Sequence, residues 1–192
     1  MGRFLPVFGG RLVAMKGVMD LPKVAGLLKS AGVPFTFDIF GDGPLRQALV
    51  SRIAADGLAD HMNLCGVLDF ASGWVPHLRS KADLFVCCHP QGDPSSTYPE
   101  VMSCGVPIVG YDNEAFRGVV AHSRSGWAVP VSNAAALAKK IEELHNDRGE
   151  VVRAARLARD FAARHAFEPT FDARLSHVIR NSRLPEVLKR DA

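Results

Sequence analysis

The stretch QGDPSSTYPEVMSCGVPIVG, residues 91–110, decides the fold of this chain. It follows an apolar run at residues 84–88 and ends in a second apolar run at residues 106–109. Short apolar runs separated by a polar loop and one short helix are typical of neighbouring strands in a buried parallel sheet. Pro99 lies near the first turn of that helix, where its missing N–H costs nothing. The stretch therefore predicts a strand–loop–helix–strand unit.

The rest of the chain repeats this alternation. Strands are predicted at residues 4–9, 35–40, 63–65, 84–88, 107–110 and 127–130. Helices are predicted at residues 18–31, 44–55, 71–80, 98–103, 133–144, 150–165 and 171–180. Because strands joined by single helices form right-handed crossovers, we expect an α/β fold with a doubly wound parallel sheet and helices on both faces. We assign residues 1–180 to one domain and residues 181–192 to a C-terminal tail.

Composition limits the class of protein. The 192 residues are enough for one domain with a substantial core, and 47% hydrophobic with 22% charged residues is ordinary for a globular protein. A net charge of +3, without an aromatic and basic stripe, is too small to indicate nucleic-acid binding. The sequence contains no apolar segment of membrane-spanning length and no signal peptide. It therefore predicts a soluble, cytoplasmic protein.

The cysteines and histidines do not indicate a metal site. Vicinal cysteines point to opposite faces of a strand, so we expect no disulfide between them and expect reduced thiols: Cys65, Cys87, Cys88 and Cys104. His89 beside Cys88 is an isolated signal, because zinc needs more clustered ligands. Three further histidines have no identifiable partner in the sequence and are expected to be ordinary surface or core residues: His77, His122 and His177. We predict no metal and no cofactor.

A second stretch, FLPVFGGRLVAMKG at residues 4–17, predicts a strand, a glycine-marked turn with Arg11 and Lys16, and a helix. Loops between parallel strands open at the carboxyl ends, so this turn and Glu100 are expected at one edge of the sheet. The two cations can hold a diphosphate together, and the helix start near Tyr98 offers N–H groups to a phosphate. The pattern indicates a nucleotide site. A solvated loop, with Glu100 stabilising the helix dipole, stays open as an alternative.

Four segments resemble the donor-binding half of the group 1, family 4, retaining glycosyltransferases with the GT-B fold. GRLVAMKG at residues 10–17 resembles that family's G-R-L-x-x-x-K-G turn. EVMSCGVPIV at residues 100–109 resembles E-A-M-A-x-G-x-P-V-V. FDIFGDGPL at residues 37–45 is similar to the strand that ends in G-x-G-P, and NLCGV at residues 63–67 to the strand that ends in F-x-G-x-V. The four segments occur in the family's order.

The resemblance implies a Rossmann-like half of a GT-B enzyme that binds a nucleotide-diphosphate sugar and takes part in polysaccharide or glycolipid biosynthesis. Arg11 and Lys16 are implied as catalytic residues, because cations stabilise the leaving diphosphate. Glu100 is implied to contact the ribose, and the backbone near Val67 the edge of the base. The complete implied donor-binding set is Gly10, Arg11, Lys16, Gly41, Gly43, Gly66, Val67, Leu68, Asp93, Ser96, Thr97, Tyr98 and Glu100.

One position departs from the family's pattern. The family carries a glutamate eight positions before the residue equivalent to Glu100, and it contacts the donor sugar; this chain has Gly92 there. Asp93 can take that role if the backbone is shifted. Alternatively, the loop at residues 93–98 takes another shape and uses its hydroxyls.

Intact members of the family are about twice as long and place the acceptor in an N-terminal lobe. The chain is therefore expected to be an excised domain or a protein that needs a partner, and to transfer no sugar alone. Any peripheral membrane association is expected to involve the N-terminal lobe and not this chain. Two rivals remain: a GT-B sugar-nucleotide epimerase, whose histidine and carboxylate constellation is not visible, and a non-catalytic domain that binds nucleotide sugars.

Overall fold

The computed structural model describes residues 2–92 and 95–181. Its centre is one sheet of six strands: β1 Pro6–Gly9, β2 Phe37–Phe40, β3 Met62–Gly66, β4 Leu84–Cys87, β5 Ile108–Tyr111 and β6 Gly126–Val129. The spatial order is β3-β2-β1-β4-β5-β6, and every neighbouring pair is parallel. The chain first builds outward from β1 to β3 and then restarts on the other side of β1 with β4. This arrangement confirms the predicted doubly wound parallel sheet.

Helices cover the sheet on both faces. They are α1 Leu21–Ser30, α2 Arg46–Ala55, α3 Val75–Ser80, α4 Thr97–Ser103, α5 Glu114–Ser123, α6 Ala134–Asn146, α7 Arg148–Arg164 and α8 Phe167–Asn181. Three helices start three or four residues away from their predicted starts: α1, α3 and α8, the last of which begins at Phe167 instead of residue 171. The segment before α1 forms two short 3-10 turns, and α3 is preceded by the π-helical turn Phe70–Trp74. The predicted tail at residues 181–192 lies outside the described residues from 182 onward.

Helix α5 was not predicted, and the omission was wrong. Its N-cap is Asn113, whose side-chain oxygen accepts a hydrogen bond from the N–H of Phe116 at 2.9 Å. Phe116 is fully buried against the sheet. Asparagine followed by glutamate is a recognisable helix start, so the sequence held the signal. A crossover between β5 and β6 also requires a connecting element.

The core has two parts, one on each face of the sheet, and the vicinal cysteines show the division. Cys88 packs with Phe8 and Tyr111 on the face covered by α1 and α6. Cys87 packs with Phe85 on the opposite face, which is covered by α4 and α7. All four cysteines are free thiols. The expectation that the vicinal pair lies on opposite faces is confirmed.

The C-terminal helices differ in how they pack. Helix α7 buries an alanine-rich stripe, and its arginines on the other side are exposed: Arg153, Arg156, Arg159 and Arg164. Helix α8 buries no side chain. Among the described helices, none combines the length and the apolar character needed to cross a membrane.

The three histidines without a partner identifiable from the sequence are ordinary surface or partly buried residues, as expected. The Nε2 atom of His77 lies 3.3 Å from the carboxylate of Asp38, which comes from a strand 39 positions earlier in the chain. His122 lies 2.7 Å from the Gly118 carbonyl of its own helix. The carbonyl of His177 accepts a hydrogen bond from the Asn181 side chain at 2.7 Å. The first contact depends on strand pairing, which no local pattern shows.

Candidate functional site

A pocket of about 390 Å³ opens at the carboxyl ends of β1, β2 and β3. Its wall combines two glycine-rich loops, the segment after β3, the turn before α3 and the first turns of α4. The lining residues are Gly9, Gly10, Arg11, Phe40, Gly41, Asp42, Val67, Leu68, Trp74, Thr97 and Glu100. The loops that sequence reasoning placed at one edge are therefore brought together.

The two glycine loops are joined by their backbones. The N–H of Gly10 donates to the carbonyl of Phe40 at 3.0 Å, and the N–H of Leu12 donates to Asp42 at 2.9 Å. From the second loop to the first, the N–H of Leu45 donates to the carbonyl of Leu12 at 3.0 Å. These bonds extend the pairing of β1 and β2 beyond the ends of the strands, so the floor of the pocket is fixed without side chains.

This pairing explains two glycines that were predicted to contact the donor. Gly41 has φ +125°, and a Cβ atom there would overlap the carbonyl oxygen of Gly10. A Cβ atom on Gly43 would lie 2.7 Å from the carbonyl oxygen of Leu12. Both glycines are therefore required by the contact between the loops. Gly41 also lines the pocket, whereas Gly43 does not.

One end of the pocket is apolar and aromatic. Trp74, from the π-helical turn, lies above Gly9, where a Cβ atom would come within 2.5 Å of the indole. The Trp74 ring meets Phe40 edge-on at 5.3 Å between centroids. Behind Phe40, the ring of His77 packs at 4.6 Å. Burial lowers the pKa of His77, and the nearby Asp38 carboxylate only partly opposes that shift.

The other end of the pocket is polar. It holds the exposed guanidinium of Arg11, together with Thr97 and Glu100 from α4. The loop after β2 adds the exposed carboxylate of Asp42. A cation, two carboxylates and a hydroxyl facing an aromatic end suit a ligand with an anionic part, hydroxyl groups and a flat ring.

The prediction that Tyr98 binds the donor is wrong for its side chain. Tyr98 is 2% exposed, and its phenol oxygen lies 3.2 Å from the Cys87 sulfur. It also lies 3.4 Å from Nδ1 of His89. Tyr98 lies on the inner face of α4, whereas its neighbour Thr97 lies on the side that faces the pocket. Successive residues of a helix point in directions about 100° apart, so the two side chains lie on different faces. The phenol thus anchors α4 to the end of β4.

At the start of α4, where a phosphate contact is predicted, three N–H groups have partners within the chain. The N–H of Thr97 donates to the Ser95 side chain at 3.4 Å, and that of Tyr98 to the Ser95 carbonyl at 3.3 Å. The N–H of Glu100 donates to Ser96 at 3.2 Å, and Pro99 has none. The exposed Ser96 does not line the pocket. The phosphate contact at this helix start stays a prediction.

Lys16 lies in the first 3-10 turn after β1, half-buried and outside the pocket wall. Gly17 follows with φ +64°, and a Cβ atom there would overlap the carbonyl oxygen of Cys88. The phenol of Tyr111 donates to Asp20 at 2.8 Å, and burial raises the pKa of that phenol. The Lys16 turn is thereby fixed against the ends of β4 and β5.

The remaining residues that were predicted to bind the donor either line the pocket or lie outside its wall. Gly66 is not in the pocket wall; its carbonyl accepts the N–H of Gly41 at 2.7 Å. Asp93 lies outside the described residues. Seven predicted residues do line the pocket: Gly10, Arg11, Gly41, Val67, Leu68, Thr97 and Glu100. Four lining residues were not predicted: Gly9, Phe40, Asp42 and Trp74. Trp74 is the one among these four that lies outside the segments resembling the family, 4–17 and 37–45.

The described residues contain no group of three or more histidine, cysteine, aspartate or glutamate side chains arranged to hold a metal ion. His89 in particular is buried, and its ring contacts Tyr98.

The fold defines a doubly wound α/β protein with a pocket at the carboxyl ends of its strands, and comparison with known proteins identifies its family. The family of glycosyl transferases, group 1, matches residues 2–161. The chain therefore belongs to the group 1 glycosyltransferases, as the four motifs indicated.

Curated relatives support this assignment. The chain is 28% identical to the alpha-D-kanosaminyltransferase of Streptomyces kanamyceticus, over 76% of this chain and 37% of that protein. It is 27% identical to the amylovoran biosynthesis glycosyltransferase AmsK of Erwinia amylovora, over 94% of this chain and 43% of that protein. The chain thus spans less than half the length of these relatives.

Solved structures share the fold. HepE of Anabaena, crystallised with UDP, superposes with a TM-score of 0.81 at 19% identity, over 94% of this chain and 49% of that one. Sucrose-phosphate synthase of Thermosynechococcus elongatus superposes with a TM-score of 0.78 at 17% identity, over 94% of this chain and 46% of that one.

Proposed function

We propose that this chain is the donor-binding lobe of a glycosyltransferase and binds a nucleoside-diphosphate sugar in the pocket at the carboxyl ends of β1 to β3. The observation that carries the proposal is the division of one pocket into an aromatic end and a polar end. Trp74 and Phe40 line the first, and Arg11 and Glu100 line the second. A nucleoside diphosphate has the same division into a flat base, a ribose and an anionic tail.

Each part of the ligand has a matching part of the pocket. The base lies between the aromatic side chains and the segment of Val67 and Leu68. The ribose hydroxyls donate to the Glu100 carboxylate, which is half-buried in the wall. The diphosphate meets the Arg11 guanidinium, which can form forked hydrogen bonds. HepE, which shares this fold, has been crystallised with UDP and with UDP-glucose.

The proposed reaction moves the sugar from the diphosphate to an acceptor hydroxyl and retains the configuration at the anomeric carbon. Negative charge builds on the leaving diphosphate as the glycosidic bond breaks. Arg11, with Lys16 from the adjoining turn, would stabilise that charge, because preorganised cations act most strongly where charge develops. Both residues follow β1, which is bonded on both sides within the sheet.

The acceptor belongs to a second lobe. The pocket is open, and the curated relatives are more than twice as long as the part that this chain matches. Holding two reactants in register can supply roughly 7–11 kcal/mol of a barrier, which an open lobe does not provide. We therefore propose that the chain alone binds donor without transferring its sugar. A cytoplasmic location stays a prediction, supported by the four free thiols.

Calorimetric titration with UDP-, GDP- and ADP-sugars tests the proposal. At least one should bind, and the Arg11→Ala/Lys16→Ala double variant should weaken that binding by about 2–4 kcal/mol, judged from the strength of charge-assisted hydrogen bonds. The control is Lys139→Ala/Arg156→Ala, which removes the same charges from exposed helix positions outside the pocket. Equal affinity in both double variants would rule out this site.

Glu100→Gln separates ribose binding from helix stabilisation. The amide keeps the shape and loses the charge, so nucleotide affinity should fall while the melting temperature changes little. A variant that loses stability and keeps its affinity would show that Glu100 only stabilises the dipole of α4.

A further inference from the structure

Position 92 has a glycine that its backbone does not require. The φ angle of Gly92 lies outside the left-handed region, so an ordinary residue would fit the backbone. A Cβ atom there, however, would lie 2.6 Å from Oε2 of Glu114, closer than such atoms approach. The carboxylate of Glu114 therefore occupies the space that a side chain at position 92 would need. The glycine provides room for that carboxylate.

The start of α5 is tied to the loop that contains Gly92. The side chain of Asn113 donates to the carbonyl of His89 at 3.0 Å, and it also caps α5 through the N–H of Phe116. Both contacts are buried. Since β4 and β5 are parallel neighbours, the segments after them leave the same edge of the sheet as Arg11 and Glu100. Glu114 is thereby held at the same edge of the sheet as the pocket, beyond the residues that line the pocket wall.

The carboxylate of Glu114 is exposed and available to a ligand. The cation nearest in sequence, Arg117, forms its salt bridge with both carboxylate oxygens of Asp112 at 2.9 and 3.1 Å. Glu114 adds a smaller attraction that helps to raise the pKa of Arg117. Within residues 2–92 and 95–181, no ion pair involves Glu114. Stabilising the dipole of α5 would explain a glutamate at this position, but it would not explain why position 92 leaves space for its carboxylate. A carboxylate without a bound cation is a strong acceptor for neutral hydroxyl groups.

We propose that Glu114 is a specificity residue, whose carboxylate accepts hydrogen bonds from the hydroxyls of the sugar half of the donor. The inference rests on the proposed function and adds a residue to it. Glu114 places an acid from the neighbouring helix beside position 92, and a side chain at position 92 would require this carboxylate to turn away. Gly92 and Glu114 thus act as a pair.

The test compares each nucleoside diphosphate with its sugar nucleotide, because only the second has the hydroxyls that Glu114 would bind. Calorimetric dissociation constants are measured for UDP and UDP-glucose, GDP and GDP-mannose, and ADP and ADP-glucose, and the tightest pair is used. Glu114→Gln should weaken the sugar nucleotide about tenfold, with less than a twofold change for the diphosphate. Gly92→Ala, which displaces the carboxylate, should produce the same selective loss in an otherwise unchanged chain.

Glu168→Gln is the matched control, because Glu168 is also an exposed first-turn glutamate, on α8. It should change neither constant. If no nucleotide binds to the wild type, the proposed function fails and this inference with it. If nucleotides bind but Glu114→Gln affects both ligands equally or neither, only the inference is overturned. A selective loss in Asp93→Asn instead of Glu114→Gln would assign the sugar contact to Asp93 and overturn it as well.

Discussion

The loops after β1 and β2 are held by backbone hydrogen bonds, whereas the segment after β4 is held by side chains. In the first region the N–H groups of Gly10 and Leu12 bond the facing loop, and no side chain takes part in these bonds. In the second region the phenol of Tyr98 contacts Cys87 and His89. The first region leaves no space for extra atoms. The second depends on particular polar groups that have been removed from water.

The glycines differ in the same way: some lie against a backbone carbonyl, and one lies against the side chain of a neighbouring residue. Gly41 and Gly17 have positive φ and lie against carbonyl oxygens, which cannot move aside without breaking the fold. Gly92 lies against the flexible end of the Glu114 side chain. Gly41 is required by the pocket wall, and Gly17 by the Lys16 turn outside that wall. Gly92, in contrast, leaves room for the carboxylate of Glu114, which a side chain at position 92 would displace.

The largest effect is expected from Gly41→Ala, which breaks the joined loops. The added Cβ atom overlaps the carbonyl oxygen of Gly10 in a backbone conformation that disfavours alanine. We expect the free energy of unfolding to fall by roughly 2–4 kcal/mol, measured by urea denaturation. Gly118→Ala is the control, since Gly118 lies in α5 with open space around it. That change should stabilise the protein by about 0.5–1 kcal/mol. Similar results for both variants would contradict the role assigned to the paired loops.

A smaller effect is expected from Tyr98→Phe, which removes one hydroxyl from the second region and keeps the ring. The loss of the contacts to Cys87 and His89 should lower the free energy of unfolding by about 1 kcal/mol. Nucleotide affinity should stay within twofold of the wild type, because the phenol does not face the pocket. A tenfold loss of nucleotide affinity without a change in the free energy of unfolding would show that the Tyr98 hydroxyl takes part in binding.

The smallest effect is expected from acid, through His77 behind the aromatic wall. Burial lowers the pKa of His77 in the folded protein below the ordinary value of 6.5. The unfolded chain therefore binds a proton first as the pH falls, and stability decreases from about pH 6.5 down to the folded pKa. Melting temperatures at pH 8 and pH 5.5 should differ less in His77→Gln than in the wild type. An equal difference in both proteins would remove His77 as a source of acid sensitivity.

Local patterns predicted much of this molecule. Apolar runs identified the six strands, and glycines with a following cation located the Arg11 loop. The glutamate at the start of a short helix located Glu100, and both side chains line the pocket. These successes share one cause, because strand alternation and turn chemistry depend on residues close together in sequence.

The failures share another cause. Tyr98 and Thr97 are neighbours in sequence, yet one is buried in the core and the other lines the pocket. Trp74 enters the pocket because a π-helical turn and the missing side chain of Gly9 make space for it. The orientation of a short helix and the shape of an irregular turn depend on what packs against them, so no local pattern predicts either.

The sequence by itself determined the parallel sheet, the family and the edge at which the site lies, because these follow from periodicity and motif order along the chain. Only the tertiary structure decided which side chains meet there. Gly92 and Glu114 are 22 positions apart, and they come together because β4 and β5 pair in parallel and Asn113 bonds the β4 loop. Whether two distant side chains compete for one space is a property of packing, and packing is set only when the strands have paired.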